Sequence, residues 1–225
     1  MSRTSCTGNV HLIVTCTRRK TVAAGGTVFP EECNAGIVYE KWRERLAQAS
    51  YENPTMTAGD LYTGQHWSRA AAAAARTGTE LWVISAGLGF LHVNDRVVPY
   101  DATFATMPVC HQDMWSNLTS SPPTERRCAS LHELMQKRPL DRFVIAASPV
   151  YLRAVEADLS AGRGELLSPE LLTIVTSKGY QGHLRDNVRY TSAGMMKMLN
   201  TNMAGLNISY ALPIIEKSRL AMTAG

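Results

Sequence analysis

The chain has 225 residues, 45% of them hydrophobic and 19% charged, with a formal net charge of +4 at pH 7. That is enough chain to fill one α/β domain, and the mild basicity permits a nucleic-acid partner without requiring one. Five cysteines (Cys6, Cys16, Cys33, Cys110 and Cys128) with no CxxC pair argue against a disulfide framework and a structural zinc site. No apolar run approaches the ~20 residues of a membrane span and no signal-peptide pattern is visible, so the expectation is a cytoplasmic protein that does not engage membranes.

In chain order, Val10–Thr15 (VHLIVT) reads as a first buried strand, running out into the basic loop Cys16–Lys20. Residues 21–34, with Gly25, Gly26 and Pro30, read as loop. Ile37–Ala49 has helical spacing, with Tyr39, Trp42, Leu46 and Ala49 on one face. Residues 57–63 read as a loop carrying Tyr62, and Gln65–Thr77 as an alanine-rich helix. Leu81–Ile84 is the second strand, followed by the glycine loop Ser85-Ala86-Gly87-Leu88-Gly89 and a polar stretch ending in Pro99-Tyr100-Asp101. Helices are predicted over 109–118 and 125–137, and Pro139 ends the second of them. Arg142–Ala147 is the third strand, Ser148-Pro149 opens a helix, residues 161–164 read as a turn, and Leu171–Thr176 is the fourth strand. Residues 177–187 read as a polar loop, with closing helices over 192–202 and 207–220. The alternation of strands and helices predicts a three-layer α/β/α sandwich around a mostly parallel four-stranded sheet, in a single domain spanning residues 1–225.

Each strand ends in a polar loop, and in a parallel sheet those ends converge on one edge, where ligands bind. Arg18, Arg19 and Lys20 can meet phosphates or form a solvated basic turn. Cys16 fits a buried apolar role better than a nucleophile's, because no base is evident beside it. Asp101 can activate a water or oppose a developing cation, or it can serve as a turn or cap; Tyr100 can stack on a base or pack. Asp95 fits a turn better than catalysis. Ser148 and Tyr151 open a helix that either meets an anion or is only capped. Lys178 and His183 lie in the loop after the fourth strand, and Tyr62, Gln65 and His66 form a further polar–aromatic group. No HxxE, HExxH, Walker-type or GxGxxG pattern is present, so neither a metal nor a cofactor is expected.

Three segments carry a family likeness: VTCTRRKT (14–21), GDLYTG (59–64) and ISAGLGFLHVNDRVVPYD (84–101). Together they resemble the uracil-DNA glycosylase superfamily, and most closely the glycosylase-like domain of archaeosine synthase and its small stand-alone bacterial and phage relatives. Phe90 stands where that pattern has leucine, and the DPYH and HPSP-type loops of true uracil-DNA glycosylases are absent. The resemblance implies a DNA glycosylase that flips out a modified base, such as one of hypermodified phage DNA, and cleaves its N-glycosidic bond, which would make it an antiviral defence enzyme acting as a monomer. Asp101 would be the catalytic carboxylate. Cys16, Tyr62, Ser85, Gly87, Gly89, Tyr100, Ser148 and Tyr151 would line the substrate pocket, and Arg18, Arg19, Lys20, Lys178 and His183 would hold the DNA backbone. Two other readings stay open. One is a base-modifying or lyase enzyme acting on 7-deazaguanine-type bases, with Lys20 or Lys178 as nucleophile; the other is a non-catalytic nucleic-acid binding module of a stress or defence system.

Overall fold

The structure is a computed structural model, and it describes residues 8–32 and 34–223; Cys6 and Cys33 lie outside the described residues. In chain order the elements are β1 (Val10–Thr15), α1 (Ala35–Glu52), β2 (Met56–Thr57), α2 (Ala58–Leu61), α3 (Gln65–Thr77), β3 (Glu80–Ser85), β4 (Gly89–His92), β5 (Arg96–Val97), α4 (His111–Ser120), α5 (Leu131–Lys137), β6 (Arg142–Ala146), α6 (Pro149–Glu165), β7 (Leu172–Ser177), β8 (Val188–Thr191) and α7 (Leu206–Thr223). Every residue of β1 is buried, which is what a central strand covered on both faces requires and why VHLIVT does not alternate.

The main sheet has six strands in the order β4-β3-β1-β6-β7-β8. The four strands expected from the sequence are its centre, and all of them run parallel as neighbours. Two strands were not expected. β8 adds a parallel edge beside β7. β4 turns straight back from β3 and pairs antiparallel with it, placing Phe90 opposite Ile84 and Leu91 opposite Val83. The stretch after Gly87 is therefore half of a hairpin rather than a polar loop, because its apolar residues Phe90 and Leu91 are fully buried. From β1 the chain crosses to β3 on one side and from β6 to β7 on the other. Right-handed crossovers in opposite directions put their helices on opposite faces. Accordingly α3 packs with α7 over β1, while α6 packs with α4 and α5. The sandwich is thus mixed and six-stranded rather than four-stranded.

The helix corrections have local causes. The helix expected over 125–137 begins only at Leu131, because Ser130 caps it: its Oγ accepts from the Glu133 N–H, and the Glu133 carboxylate accepts from the Ala129 N–H. Residues 161–164 are not a turn but the last helical turns of α6. Gly162 is needed there for close packing, since a Cβ would lie 2.8 Å from the Met135 sulfur. Residues 192–202 form 3-10 and turn structure instead of a helix, and Asn200 adopts a left-handed φ of 44°. Residues 57–63 are not all loop, because α2 forms with the Thr57 hydroxyl accepting from the Asp60 N–H.

The amino edge of the sheet carries a buried polar chain with a structural task. Trp82 Nε1 donates to His11 Nδ1 at 3.1 Å, so the ring proton sits on Nε2, which donates to Asp141 Oδ2 at 2.8 Å. His11 also stacks on Phe143, with centroids 4.8 Å apart. Burial alone would raise the Asp141 carboxyl, but hydrogen bonds from His11 and the Asn9 N–H outweigh it and hold the group below its ordinary value. A carboxyl lowered in the folded state stabilises above its unfolded pKa of about 3.9, and that contribution is lost as pH falls through the folded value. Asp141→Asn should cost about 1.5–3 kcal/mol at pH 7. The gap between wild type and variant in thermal melts should narrow as pH falls below about 4; a gap unchanged down to pH 2 would contradict this role.

Candidate functional site at the carboxyl edge of the sheet

β1, β3, β6 and β7 end on one edge, and the residues leaving the first three meet there. Tyr100 is the hub. Its hydroxyl lies 2.6 Å from Ser85 Oγ and 2.9 Å from the Tyr62 hydroxyl, and Ser85 Oγ also accepts from the Leu88 N–H at 3.0 Å. Gly87 packs flat against this ring: a Cβ there would sit 2.7 Å from a Tyr100 ring carbon and 2.9 Å from Ala102 Cβ. The Gly87 carbonyl accepts from Trp42 Nε1 on α1 at 2.6 Å. The loop's two glycines therefore do different work. Gly87 admits the Tyr100 ring, whereas Gly89, at φ +81°, turns the chain into β4 and faces Arg126 and Leu118 instead of the cluster. Arg126 reaches back to hold this hairpin, donating to the carbonyls of Leu88 at 2.6 Å and Phe90 at 3.2 Å, and burial lowers its guanidinium to about 10.

A second strand-end pair adjoins the first. Cys16 Sγ lies 3.2 Å from the Tyr151 hydroxyl, which is 3.5 Å from Thr103 Oγ1. Burial pushes the phenols of Tyr62, Tyr100 and Tyr151 well above their usual value, so all three remain neutral hydrogen-bonding groups. Two expectations change here. Tyr62 is 2% exposed and Tyr100 is 0% exposed, so neither ring is a platform on which a base can stack from solvent. They form the floor of the site. Cys16 is buried, as its lack of a neighbouring base suggested, but its sulfur is hydrogen-bonded to the Tyr151 hydroxyl rather than packed as a purely apolar group.

Above the floor stand two charged groups. Lys20 is pinned by its backbone: it bridges antiparallel to Tyr62, the Thr21 N–H donates to the Leu61 carbonyl and the Thr63 N–H to the Arg19 carbonyl. Its Nζ sits 4.4 Å from the centroid of the Tyr100 ring. Burial lowers the Lys20 ammonium below its ordinary value, while Cys16 and Asp101 act in the opposite direction. Asp101 is exposed, and its backbone is fixed on both sides, donating to the Thr27 carbonyl at 2.8 Å and accepting from the Phe29 N–H at 2.9 Å. Its carboxylate makes no hydrogen bond or ion pair within 4.0 Å among the described residues, and it caps no helix. Asp95 does make the turn expected of it, accepting from the His92 N–H at 2.8 Å.

The remaining expected residues spread along the edge. Arg18 and Arg19 are exposed beside Lys20. Lys178 and His183 are exposed in the loop after β7. Because β6 lies between β1 and β7, the two basic groups start two strand spacings apart, about 10 Å. Ser148 stands at the N-cap of α6 with no side-chain cap bond, next to the Tyr151 that contacts Cys16. Sequence reasoning missed three residues that shape the site: Trp42, Thr103 and Arg126. A lone tryptophan or arginine in a helix or loop carries no local mark of a partner 38 to 45 residues away. The Gln65–His66 pair is half-buried at the start of α3, with Gln65 Oε1 and His66 Nε2 unpartnered, and burial lowers His66 to about 4. A cavity of about 520 Å³ lies between residues 22–27 and the end of α1; Pro99 lines it, as does Thr27, whose carbonyl accepts from the Asp101 N–H.

The family model described as "Family of unknown function (DUF6884)" matches residues 48–170. No curated protein and no solved structure matches the chain. The matched stretch takes in Tyr62, Ser85, the glycine hairpin, Tyr100, Asp101 and Tyr151, but not Cys16 or Lys20.

Proposed function

For this chain, which belongs to the DUF6884 family by a match over more than half its length, we propose an N-glycosidase that releases a modified base from DNA. The observation that carries the reading is Asp101: an exposed carboxylate, locked by its backbone, engaged in no structural bond among the described residues, and near a partly desolvated lysine. Cleavage of an N-glycosidic bond develops positive charge on the sugar and negative charge on the departing base. A carboxylate on the sugar side and cationic or N–H donors on the base side stabilise both. Asp101 takes the first role and accepts a proton from the attacking nucleophile. The cationic Arg18 and Arg19, exposed on the loop beside Lys20, supply the second.

The base must leave the stack to reach this edge. The same Arg18 and Arg19 would also hold flanking phosphates. A base carrying a bulky modification suits a site whose charged groups stand on an open lip over a sealed tyrosine floor. A non-catalytic binding module has no use for an uncommitted carboxylate among basic residues, where it would only repel phosphate. The test is the count of aldehyde-reactive abasic sites in phage DNA with modified bases after incubation with the protein. A rise over a boiled control is expected, and no rise in any such DNA would overturn the reading.

A further inference from the structure

The chain has six lysines, and they are not alike. Lys41, Lys137, Lys178, Lys197 and Lys217 are exposed; Lys20 alone is half-buried. Lys41 and Lys137 are paired with Glu32 and Glu133. Lys20 makes no ion pair within 4.0 Å among the described residues; its Nζ has the Thr17 carbonyl at 3.4 Å and the face of Tyr100 at 4.4 Å. An amine so held is shielded from water on the ring side without the full compensation of a carboxylate in contact.

We propose that Lys20 is a nucleophile toward the sugar C1′, which would make the protein a glycosidase with lyase activity; this rests on the glycosidase reading above. The geometry has three parts. The backbone bridge to Tyr62 fixes where the side chain starts. The Tyr100 ring fixes where Nζ ends, at the carboxyl edge of the sheet. Asp101, the residue after that ring, is close enough to influence the amine's proton and has no other partner among the described residues. The lowered proton affinity of Lys20 adds to this, because only the neutral amine attacks carbon.

The steps balance without an oxidant or reductant. The Nζ lone pair forms a bond to C1′ as the bond from C1′ to the base nitrogen breaks, and the base leaves with that electron pair and takes up a proton. Asp101 accepts the proton lost by Nζ. The C1′–O4′ bond then opens, O4′ is protonated and C1′ becomes a protonated imine on Lys20. Loss of a C2′ proton expels the 3′ phosphate, and water hydrolyses the imine to restore the amine. The reaction does not depend on which base is removed, so an abasic site in DNA, whose sugar is already an aldehyde, can enter at the imine stage.

The probe is therefore a synthetic oligonucleotide duplex with one abasic site, incubated with the full chain and sodium borohydride, which reduces the imine to a stable amine. Wild type should form a covalent protein–DNA adduct resolved on a denaturing gel, mapped to Lys20 by peptide mass spectrometry. Lys20→Arg keeps the charge and the stacking but cannot form an imine, and should lose at least ten-fold of the adduct with an unchanged melting temperature. Lys20→Ala should lose it equally, and Lys137→Ala should keep it. No adduct from wild type, or an adduct undiminished in Lys20→Arg, overturns the proposal. Base release from modified DNA without an adduct overturns Lys20 as nucleophile and leaves the glycosidase; an adduct at Lys20 without base release from any modified DNA does the reverse.

Discussion

Asp101→Asn is expected to lower base release by about 10²–10⁴, the usual range for loss of a positioned general base, while leaving folding and DNA binding intact. The carboxylate bonds to nothing within the described protein, so the amide takes its place without unpairing a buried group. Its position is set by main-chain bonds to Thr27 and Phe29, which the substitution does not touch. Melting temperature should therefore hold within about 2 °C, since exposed substitutions usually fall within about 0.5 kcal/mol. Binding to DNA should strengthen slightly, because a negative charge is removed from a basic edge. A variant that retains full activity would remove Asp101 from the chemistry, and one that also loses several degrees would show that its role is structural.

Trp42→Ala is expected to produce the largest loss of stability. Trp42 is fully buried in α1 and its ring packs on Phe29 at 5.4 Å and edge-on to Tyr100 at 6.3 Å. Truncating a buried tryptophan costs about 3–5 kcal/mol, and the Gly87 carbonyl loses its indole donor as well. In a chain of this size each kcal/mol shifts the melting temperature by about 2–4 °C, so a drop on the order of 10 °C is expected by calorimetry. Trp42→Phe fills most of the volume and leaves only the carbonyl unpaired, and it should recover more than half of that drop. Equal losses in the two variants would mean that the hydrogen bond, and not the packing, carries the stability.

The parts of the fold that were legible were those with strong local pattern. VHLIVT, RFVIAA and LLTIVT are apolar runs of strand length rich in β-branched residues, and their polar exits share an edge once the strands run parallel. The alanine helix was legible at both ends, Gln65 and Thr77, because Gly64 and Gly78 both take positive φ there. β4 was hidden because a glycine at a strand start resembles a loop residue, although Phe90 and Leu91 mark a buried segment. α5 had a readable start that was overlooked: Ser130 and Glu133 have capping-box spacing. β8 is short, and half of VRYT faces outward, so its apolar content falls below what a strand reading needs.

At the site, the loops were legible but their depth was not. Sequence marks Tyr62, Ser85, Tyr100 and Tyr151 as polar or aromatic residues near strand ends. It cannot say that their hydroxyls turn inward and satisfy one another, because those pairings span 15 to 135 residues. The seat of Lys20 on Tyr100 is of the same kind, a contact between residues 80 positions apart. What separates Lys20 from Lys178 is burial, and burial is set by the arrangement of the strands.

The most direct measurement is mass spectrometry of the low-mass fraction after the protein is incubated with genomic DNA from several phages that carry modified bases. The account predicts a free base from at least one of these DNAs, released by wild type and reduced at least a hundredfold in Asp101→Asn. Binding to all of these DNAs with no free base from any of them would contradict it.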